Sequence, residues 1–282
     1  MAGPTGAAFV WLYYVGEMPP LASPESGNAA VACAAQWRRI ADAVDCLPDR
    51  AFDIVTRLAD WRVAELVEHL AMCASALPRR LAEPAPTRAE VDLAQYLLAL
   101  PTAAAVIARR EQESAHEVAP AAQKLRLRAA VDDLEASLLA ASDDPGDRLV
   151  CTRFGGMRVA DFIVTRCIEG VVHGLDLVAA FPGVDLQPER AALKVTTRSL
   201  LGALVAKAPG RSVEVRVPPF TAVQCVEGPR HTRGTPPNVV ETDPITWIEL
   251  ACGRLVWRDV TGDGRLRASG ERSDISGLFP LV

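Results

Sequence analysis

Residues 166–177 read Arg-Cys-Ile-Glu-Gly-Val-Val-His-Gly-Leu-Asp-Leu, where Glu169, His173 and Asp176 are set among apolar residues and glycines. The surrounding segment, Val159–Phe181, is apolar over most of its circumference at helical spacing, which predicts the most buried helix of the chain. Spacings of four and three residues place the three polar side chains along one helix face. Because buried carboxylates and imidazoles are costly unless they are paired or bound to metal, this face is the first candidate for a functional site.

A Glu-xxx-His pair on one helix offers two ligands to a first-row metal ion, so a third ligand must come from elsewhere. His69 is the best candidate, because it lies at the edge of the apolar stripe of a predicted helix over Arg62–Leu77. One glutamate and two histidines leave a coordination position open, which is typical of a catalytic site, and Asp176 is placed to orient a ligand. The same pair also occurs as an ordinary contact between helical neighbours, so the residues alone leave both interpretations open.

Other residues near these positions have two interpretations each. Cys73 and Cys167, each within one helical turn of a proposed ligand, are either soft ligands or nucleophiles, or buried inert thiols. His116 lies in a charged run and His231 in a segment rich in Gly, Pro, Arg and Thr, so both are predicted to be surface residues.

Hydrophobic periodicity predicts a helical bundle followed by a smaller α+β domain, an α + (α+β) fold class. The predicted domains are an N-terminal extension over 1–28, a bundle over 29–183 and an α+β domain over 184–282. The extension is expected to be disordered or mis-annotated, with Met18 as the alternative start. The predicted helices are Val31–Val44, Arg62–Leu77 ended by Pro78, one or two within Thr87–Glu117, Ala121–Ala141 with Leu125, Leu134, Leu138 and Leu139 inward, Val159–Phe181, Pro188–Ala208 and a short one from Pro244 to Leu250. The predicted strands are Val213–Val217, Thr221–Val226 and Gly253–Asp259.

Composition excludes several function classes. The chain has 282 residues, of which 50% are hydrophobic, and carries a net charge of −5 without a basic cluster, so nucleic acid is not an expected partner. The apolar run Ala7–Val15 is too short to cross a bilayer and no basic residue precedes it, so neither a membrane span nor a signal peptide is expected. Seven scattered cysteines without a CxxC pair indicate free thiols in a reducing, cytoplasmic compartment.

The sequence also resembles a known family. The residues that carry the resemblance are Asp60–Leu70 and Arg166–Leu177 in the first region, and Asp243–Leu250, Gly253–Trp257 and Ala268–Gly270 in the second. They are similar to the DinB-like, mycothiol-dependent maleylpyruvate isomerase family, whose C-terminal domain is sterol-carrier-like.

The resemblance implies a DinB-like four-helix bundle that holds a divalent metal ion, usually zinc, on His69, Glu169 and His173. It further implies an enzyme that uses mycothiol as a thiol cosubstrate, for isomerisation or S-transfer on a small electrophilic substrate. Asp176 would then orient His173. An anionic substrate needs basic groups, for which Arg166, Arg254 and Arg272 are candidates, each with a surface or ion-pair role as the alternative. A monomer or a homodimer is expected.

Two alternatives stand beside the enzyme. In the first, the α+β domain binds an apolar ligand such as a lipid or sterol and the bundle is a scaffold, so the protein is a carrier. In the second, the metal ion only staples the helices together, and chelation would lower the melting temperature while no thiol bound.

Overall fold

The computed structural model describes residues 26–58, 61–103, 118–142, 148–229 and 237–282. The extension up to residue 25, Asp60, His116, the predicted turn at 143–146 and His231 lie outside the described residues. In chain order the helices are α1 (Ser26–Asp45), α2 (Val63–Ala82), α3 (Leu93–Ala99), α4 (Pro120–Ser142), α5 (Val159–Ala180), α6 (Arg190–Lys207), α7 (Pro244–Ala251) and α8 (Trp257–Gly262). The strands are β1 (Leu149–Thr152), β2 (Gly155–Arg158), β3 (Val213–Val217), β4 (Thr221–Cys225), β5 (Val239–Thr242) and β6 (Leu266–Ser269).

Helices α1, α2, α4 and α5 form a four-helix bundle, in which α1 and α2 each pack against both α4 and α5. Its interior is filled by apolar side chains at helical spacing, including the fully buried Trp37, Leu66, Leu70 and Leu134. Each such side chain stabilises the fold by roughly 1.5–3 kcal/mol relative to exposure. The predicted combination of a helical bundle with a smaller α+β region is therefore confirmed.

The apolar face of α4 was predicted only in part. Leu134 and Leu138 are buried as expected, whereas Leu125 and Leu139 are 72% and 71% exposed, so their inward assignment is wrong. The buried stripe runs through Leu127, Leu134 and Leu138 at intervals of seven and four residues. Leu125 and Leu139 fall outside this stripe, on the face turned to solvent.

Two helix boundaries also differ from prediction. Pro78 was expected to end α2, but the helix continues to Ala82, with Arg148 Nη2 donating to the carbonyl of Leu81 at its end. A proline removes a single intrahelical bond, and this far along a packed helix that loss does not stop it. In the segment from Thr87, the helix starts only at Leu93, where Asp92 accepts a hydrogen bond from Gln95 N. The rest of that prediction, 104–117, lies outside the described residues.

The C-terminal region contains a four-stranded sheet in the order β4-β3-β5-β6. Strand β3 pairs antiparallel with β4 and parallel with β5, which pairs antiparallel with β6. Helix α6 connects this region to the bundle, because it packs against α1, α3 and α5 on one side and against α7 and β4 on the other. Strands β5 and β6, and the β1–β2 hairpin, were not predicted because each is only four residues long.

The strand predicted over Gly253–Asp259 is absent, and α7 instead ends there in a reversal of the chain. Gly253 has φ 69°, its N–H donates to the carbonyl of Leu250, and Arg254 N donates to the carbonyl of Glu249. This pair of bonds is a Schellman motif, which glycine favours because it has no Cβ atom. The apolar run that resembled a strand is divided between this cap and the start of α8 at Trp257.

Candidate metal centre

Two helices bring the three predicted ligands together. His69 Nε2, on α2, lies 3.2 Å from His173 Nε2 and 3.7 Å from Glu169 Oε2, both on α5. His173 Nε2 lies 3.1 Å from the same carboxylate oxygen, and all three atoms lie within 4.8 Å of one another. Two ligands of a tetrahedral ion with bonds of about 2.0–2.1 Å are about 3.3 Å apart, so these spacings and donor types fit a divalent ion such as zinc.

A close approach of α5 to α1 sets the orientation of α5. A Cβ atom at Gly170 would lie 3.1 Å from Trp37 Nε1 and 3.2 Å from Gln36 Cγ. With glycine there, Trp37 Nε1 donates to the carbonyl of Arg166 (3.0 Å) and Gln36 Nε2 to that of Gly170 (3.2 Å). Gly170 is therefore on the side of α5 that contacts α1. Glu169 and His173 are on the side that approaches His69 of α2.

Asp176 determines which nitrogen of His173 faces the other ligands. Its Oδ2 lies 2.9 Å from His173 Nδ1, and its side chain is fully buried. An ionised carboxylate can only accept, so Nδ1 carries the proton and donates it, which leaves the lone pair on Nε2 in the neutral imidazole. This is the arrangement in which a carboxylate orients a metal-ligating histidine.

Both carboxylates of this cluster are kept ionised. Burial alone would raise the pKa of Glu169, but its contacts with the imidazoles of His173 and His69 and the charge of Arg166 hold that pKa well below its ordinary value. For Asp176, burial is likewise outweighed by the hydrogen bond from His173 and by Arg254, so its pKa is also lowered. Glu169 is therefore available as an anionic ligand.

An aromatic ring and a thiol lie next to His69. The ring of Trp61, itself buried, lies 5.1 Å from the His69 ring, and Cys73 Sγ lies 3.4 Å from His69 Nε2. At the start of the same helix, Arg62 N donates to Glu65 Oε2 (2.7 Å), which satisfies one of the free N–H groups there. Cys73 is therefore next to the three ligands, whereas Cys167 Sγ faces the carbonyl of Ala192 at 4.0 Å.

Arg166 lies beside the three ligands. Its side chain is 6% exposed, and its Nη2 is 3.6 Å from Glu169 Oε1. Its Nη1 donates to the carbonyl of Cys73 (3.5 Å), and its guanidinium carbon lies 4.9 Å from the centre of the Phe162 ring. Of the three arginines predicted from the sequence, Arg166 is the one in direct contact with a ligand residue among the described residues.

Arg254 does reach the site, but through Asp176. Its Nε and Nη2 donate to Asp176 Oδ1 and Oδ2, both at 3.1 Å, and its Nη1 donates to the carbonyl of Cys252. Arg57, which the sequence analysis missed, donates from Nε to Asp176 Oδ1 (2.7 Å) and from Nη1 to Glu249 Oε1 (2.6 Å). Arg57 is in an irregular loop before α2, so no periodic signal marks it.

Arg272 is not brought to the site. Its Nη1 lies next to Gly228, and its backbone N–H donates to Asn238 Oδ1 (3.0 Å), at the end of the C-terminal sheet where β5 begins. Its expected contact with an anionic substrate at the metal centre is therefore not supported by its position. The spacing of Arg272 from other residues gave no indication of which side of the sheet it would occupy.

Comparison with protein families is decisive for the bundle. The model described as the mycothiol maleylpyruvate isomerase N-terminal domain matches residues 33–178. The chain belongs to the mycothiol maleylpyruvate isomerase family. A second model, described as the bacterial SCP ortholog, matches residues 189–281. The resemblance seen in the sequence is thus confirmed for the family, and both helix motifs that carried it lie within the first match.

Solved structures show the same fold. A crystal structure of the mycothiol-dependent maleylpyruvate isomerase and one of a histidine-to-alanine mutant of that enzyme each share 17% sequence identity with this family member. The TM-scores are 0.57 and 0.58, and each match covers 89% of this chain and 96% of the other. A comparison with curated protein sequences gives no significant match. In the described part of the chain, no helix is both long and apolar enough for a membrane span.

Proposed function

We propose that this member of the family is a cytoplasmic, metal-dependent enzyme that uses mycothiol for isomerisation or thiol transfer on a small, electrophilic or anionic substrate. His69, Glu169 and His173 would hold the ion, with zinc as the proposed metal. The proposed division is a metal-binding bundle over 29–183 and an α+β domain over 184–282. Membership of the family supports the thiol chemistry, and the donor geometry supports the metal.

One observation carries the proposal. Three donor atoms of the types that zinc prefers converge from two helices to within 4.8 Å, in a largely buried place. A structural zinc site is closed by four protein ligands, whereas three ligands leave a position for a substrate atom. Among the described residues, Cys73 is the nearest further donor to His69, but it is not one of the mutually close set.

The residues of the chain would divide the work as follows. Asp176 holds the proton on His173 Nδ1, so that Nε2 stays a ligand. A divalent ion bound there supplies a positive charge that lowers the pKa of a thiol at its open position, which makes the thiol nucleophilic near neutral pH. Arg166, buried against Glu169, is the group placed to attract a substrate carboxylate.

The chain's own buried thiols would not compete with the cosubstrate. Burial raises the pKa of Cys33 and of Cys252 to about 12, and raises that of Cys167 well above its ordinary value. These thiols stay protonated at neutral pH and so are poor nucleophiles. The absence of a nucleophile among these three thiols supports a small-molecule cosubstrate as the proposed source of the thiolate.

Metal content tests the proposal directly. We expect about one divalent ion per chain in the purified protein and none in a folded His69→Ala, Glu169→Ala double variant, because two of three ligands are gone. Folding of the variant is checked by circular dichroism. A well-folded wild-type protein that takes up no metal even when zinc is supplied would overturn the proposal.

The match of residues 189–281 to the bacterial SCP ortholog model favours a second candidate, a carrier of an apolar ligand. A carrier would bind a fluorescent fatty acid equally well with and without metal, and the double variant would keep that binding. The enzyme instead binds mycothiol only in the metal-loaded form. If chelation lowers the melting temperature and no thiol binds to the loaded protein, the metal is a staple only.

A further inference from the structure

Four charged side chains join the bundle to the C-terminal region behind His173. Asp176 belongs to α5 and Arg57 to the loop before α2, while Glu249 and Arg254 belong to the end of α7. Two guanidinium groups meet two carboxylates, so the cluster is balanced in charge. Its most buried member is Asp176, whose side chain has no exposed surface.

Arg57 links the two regions alongside Arg254. Its Nε donates to Asp176 Oδ1 at 2.7 Å and its Nη1 donates to Glu249 Oε1 at 2.6 Å. Its side chain is 25% exposed, and that of Glu249 is 15% exposed, so the contact is partly shielded from water and salt. A single planar guanidinium with fixed donor directions therefore links α5 to the end of α7.

Hydrogen bonds hold the described residues on either side of Arg57. Thr56 N and Thr56 Oγ1 both donate to the carbonyl of Trp61 (2.8 Å each), and Thr56 Oγ1 accepts from Leu58 N (3.1 Å). Val63 N donates to the carbonyl of Ile54 (2.9 Å) at the base of the loop. Thr56, next to Arg57 in the chain, is thus bonded to Trp61, the residue that packs on His69.

The Schellman cap of α7 places Glu249 and Arg254 together. The carbonyl of Glu249 accepts from Arg254 N at 2.7 Å, so the side chains of these two residues leave the same helix end. Glu249 then meets Arg57, and Arg254 meets both oxygens of Asp176. Fixing Glu249 through Arg57 therefore also fixes the position of Arg254.

We propose that Arg57 is a positioning residue that couples metal binding at His173 to the docking of the C-terminal region. By bridging Asp176 and Glu249, Arg57 keeps Arg254 on Asp176, and the two arginines fix the carboxylate that orients the His173 ring. Metal affinity then depends on residues of the C-terminal region that do not touch the metal. By linkage, a bound metal ion strengthens the contact between the two regions to the same extent.

This inference rests on the metal binding proposed above, and its test separates the two. Zinc affinity is measured by competition with a chromophoric chelator for the wild-type chain, Arg57→Gln, Glu249→Gln and the double variant. Replacing residues that orient a metal ligand costs 10–100-fold in affinity, so we expect about tenfold for Arg57→Gln, at the lower end, and about threefold for Glu249→Gln. The double variant should lose no more than Arg57→Gln alone, because both changes break one path.

Arg216→Gln is the matched control. Arg216 Nε lies 2.6 Å from Glu214 Oε1 in the C-terminal sheet, and its side chain is 28% exposed, so it is an ion pair of similar length and exposure outside the cluster. Its loss should leave zinc affinity unchanged, which distinguishes a positioning role from general loosening. A second readout is the rise in melting temperature on adding zinc, which should be smaller in Arg57→Gln than in Arg216→Gln.

The outcomes are distinct. If the wild-type chain binds no zinc, the proposed function fails and this inference falls with it. If the wild-type chain binds zinc and a folded Arg57→Gln variant binds it equally well, the coupling is wrong while the metal site stands. If Arg57→Gln does not fold, Glu249→Gln decides, because it removes one charge with little change in shape, and unchanged affinity there overturns the coupling.

Discussion

The bundle and the C-terminal region contribute to the candidate metal centre in different ways. The bundle supplies all three proposed donor residues, from α2 and α5. The C-terminal region supplies none of them, but its Arg254 and, through Arg57, its Glu249 hold the carboxylate behind His173. Helical spacing within one region thus brings the proposed donors together, while under the proposed coupling their orientation depends on how the second region docks.

The largest expected effect is in the bundle. His173→Ala removes one of three donors, so we expect zinc affinity to fall by more than the 10–100-fold that an orienting residue contributes. Activity with a thiol cosubstrate should fall in parallel, while the helical circular dichroism signal is kept. Chelator competition measures the affinity.

The control for His173→Ala is Gln36 of α1, which packs against α5 without being a proposed ligand. Gln36→Ala removes the hydrogen bonds to Gly170 O and from Glu189 N, which should lower the free energy of unfolding by about 1–3 kcal/mol. It should leave zinc affinity nearly unchanged. Equal loss of affinity in both variants would show that the bundle, and not the donor set, controls binding.

Asp176→Asn should have the next largest effect, because Asp176 lies between the two regions. We expect a loss of about 10–100-fold in zinc affinity, since the amide no longer fixes the His173 tautomer by charge. The melting temperature should fall as well, because Arg57 and Arg254 lose their shared partner. Chelator competition and thermal unfolding of the metal-free protein measure the two effects separately, and a variant that lost affinity without any loss of stability would break the link between the regions.

The sequence was sufficient to predict those site residues whose position follows from the spacing within one helix. Glu169, His173 and Asp176 could be placed on one face from spacing alone, and His69 from its place at the margin of an apolar stripe. Arg57 and Glu249 could not be found, because their role depends on an irregular loop and a helix cap meeting across two regions. The position of Arg272 could not be predicted from the sequence either, because it depends on how the chain after β6 packs at the end of the sheet.

Two further predictions were wrong because residue type was given more weight than the geometry of the chain. The apolar residues around Leu255 and Trp257 favour a strand by composition, but the positive φ of Gly253 reverses the chain before them. Leu125 and Leu139 favoured the core by their residue type, yet the register of α4 turns them to solvent. In both places, tertiary packing overrides local propensity.

Gly253→Ala should have a smaller effect and tests the C-terminal contribution from a distance. An alanine at φ 69° is strained, and its Cβ would lie 3.2 Å from Pro280 Cβ. We expect the free energy of unfolding to fall by about 1–2 kcal/mol. Displacement of Arg254 should lower zinc affinity by less than Asp176→Asn does; an effect as large as that of Asp176→Asn would mean that the cap, and not the carboxylate, dominates the coupling. Denaturant titration and chelator competition measure the two.

The smallest effect on zinc affinity is expected from treatment with an alkylating agent, which we compare at one cysteine in each region. Cys46 is exposed just after α1, whereas Cys252 is buried at the end of α7, where burial raises its pKa to about 12. At pH 8 a thiol with that pKa is ionised to only about 1 part in 10⁴, so iodoacetamide should modify Cys46 and leave Cys252 intact. Raising the pH to 9 increases the thiolate fraction of Cys252 tenfold, still to only about 10⁻³, so its protection should persist until the protein unfolds.

Peptide mass spectrometry measures both sites, with protein alkylated in denaturant as the control. Because Cys46 is exposed after α1 and belongs to neither the donor set nor the charged cluster, its modification should leave zinc affinity unchanged, while modification of native Cys252 would show that α7 separates readily from the bundle.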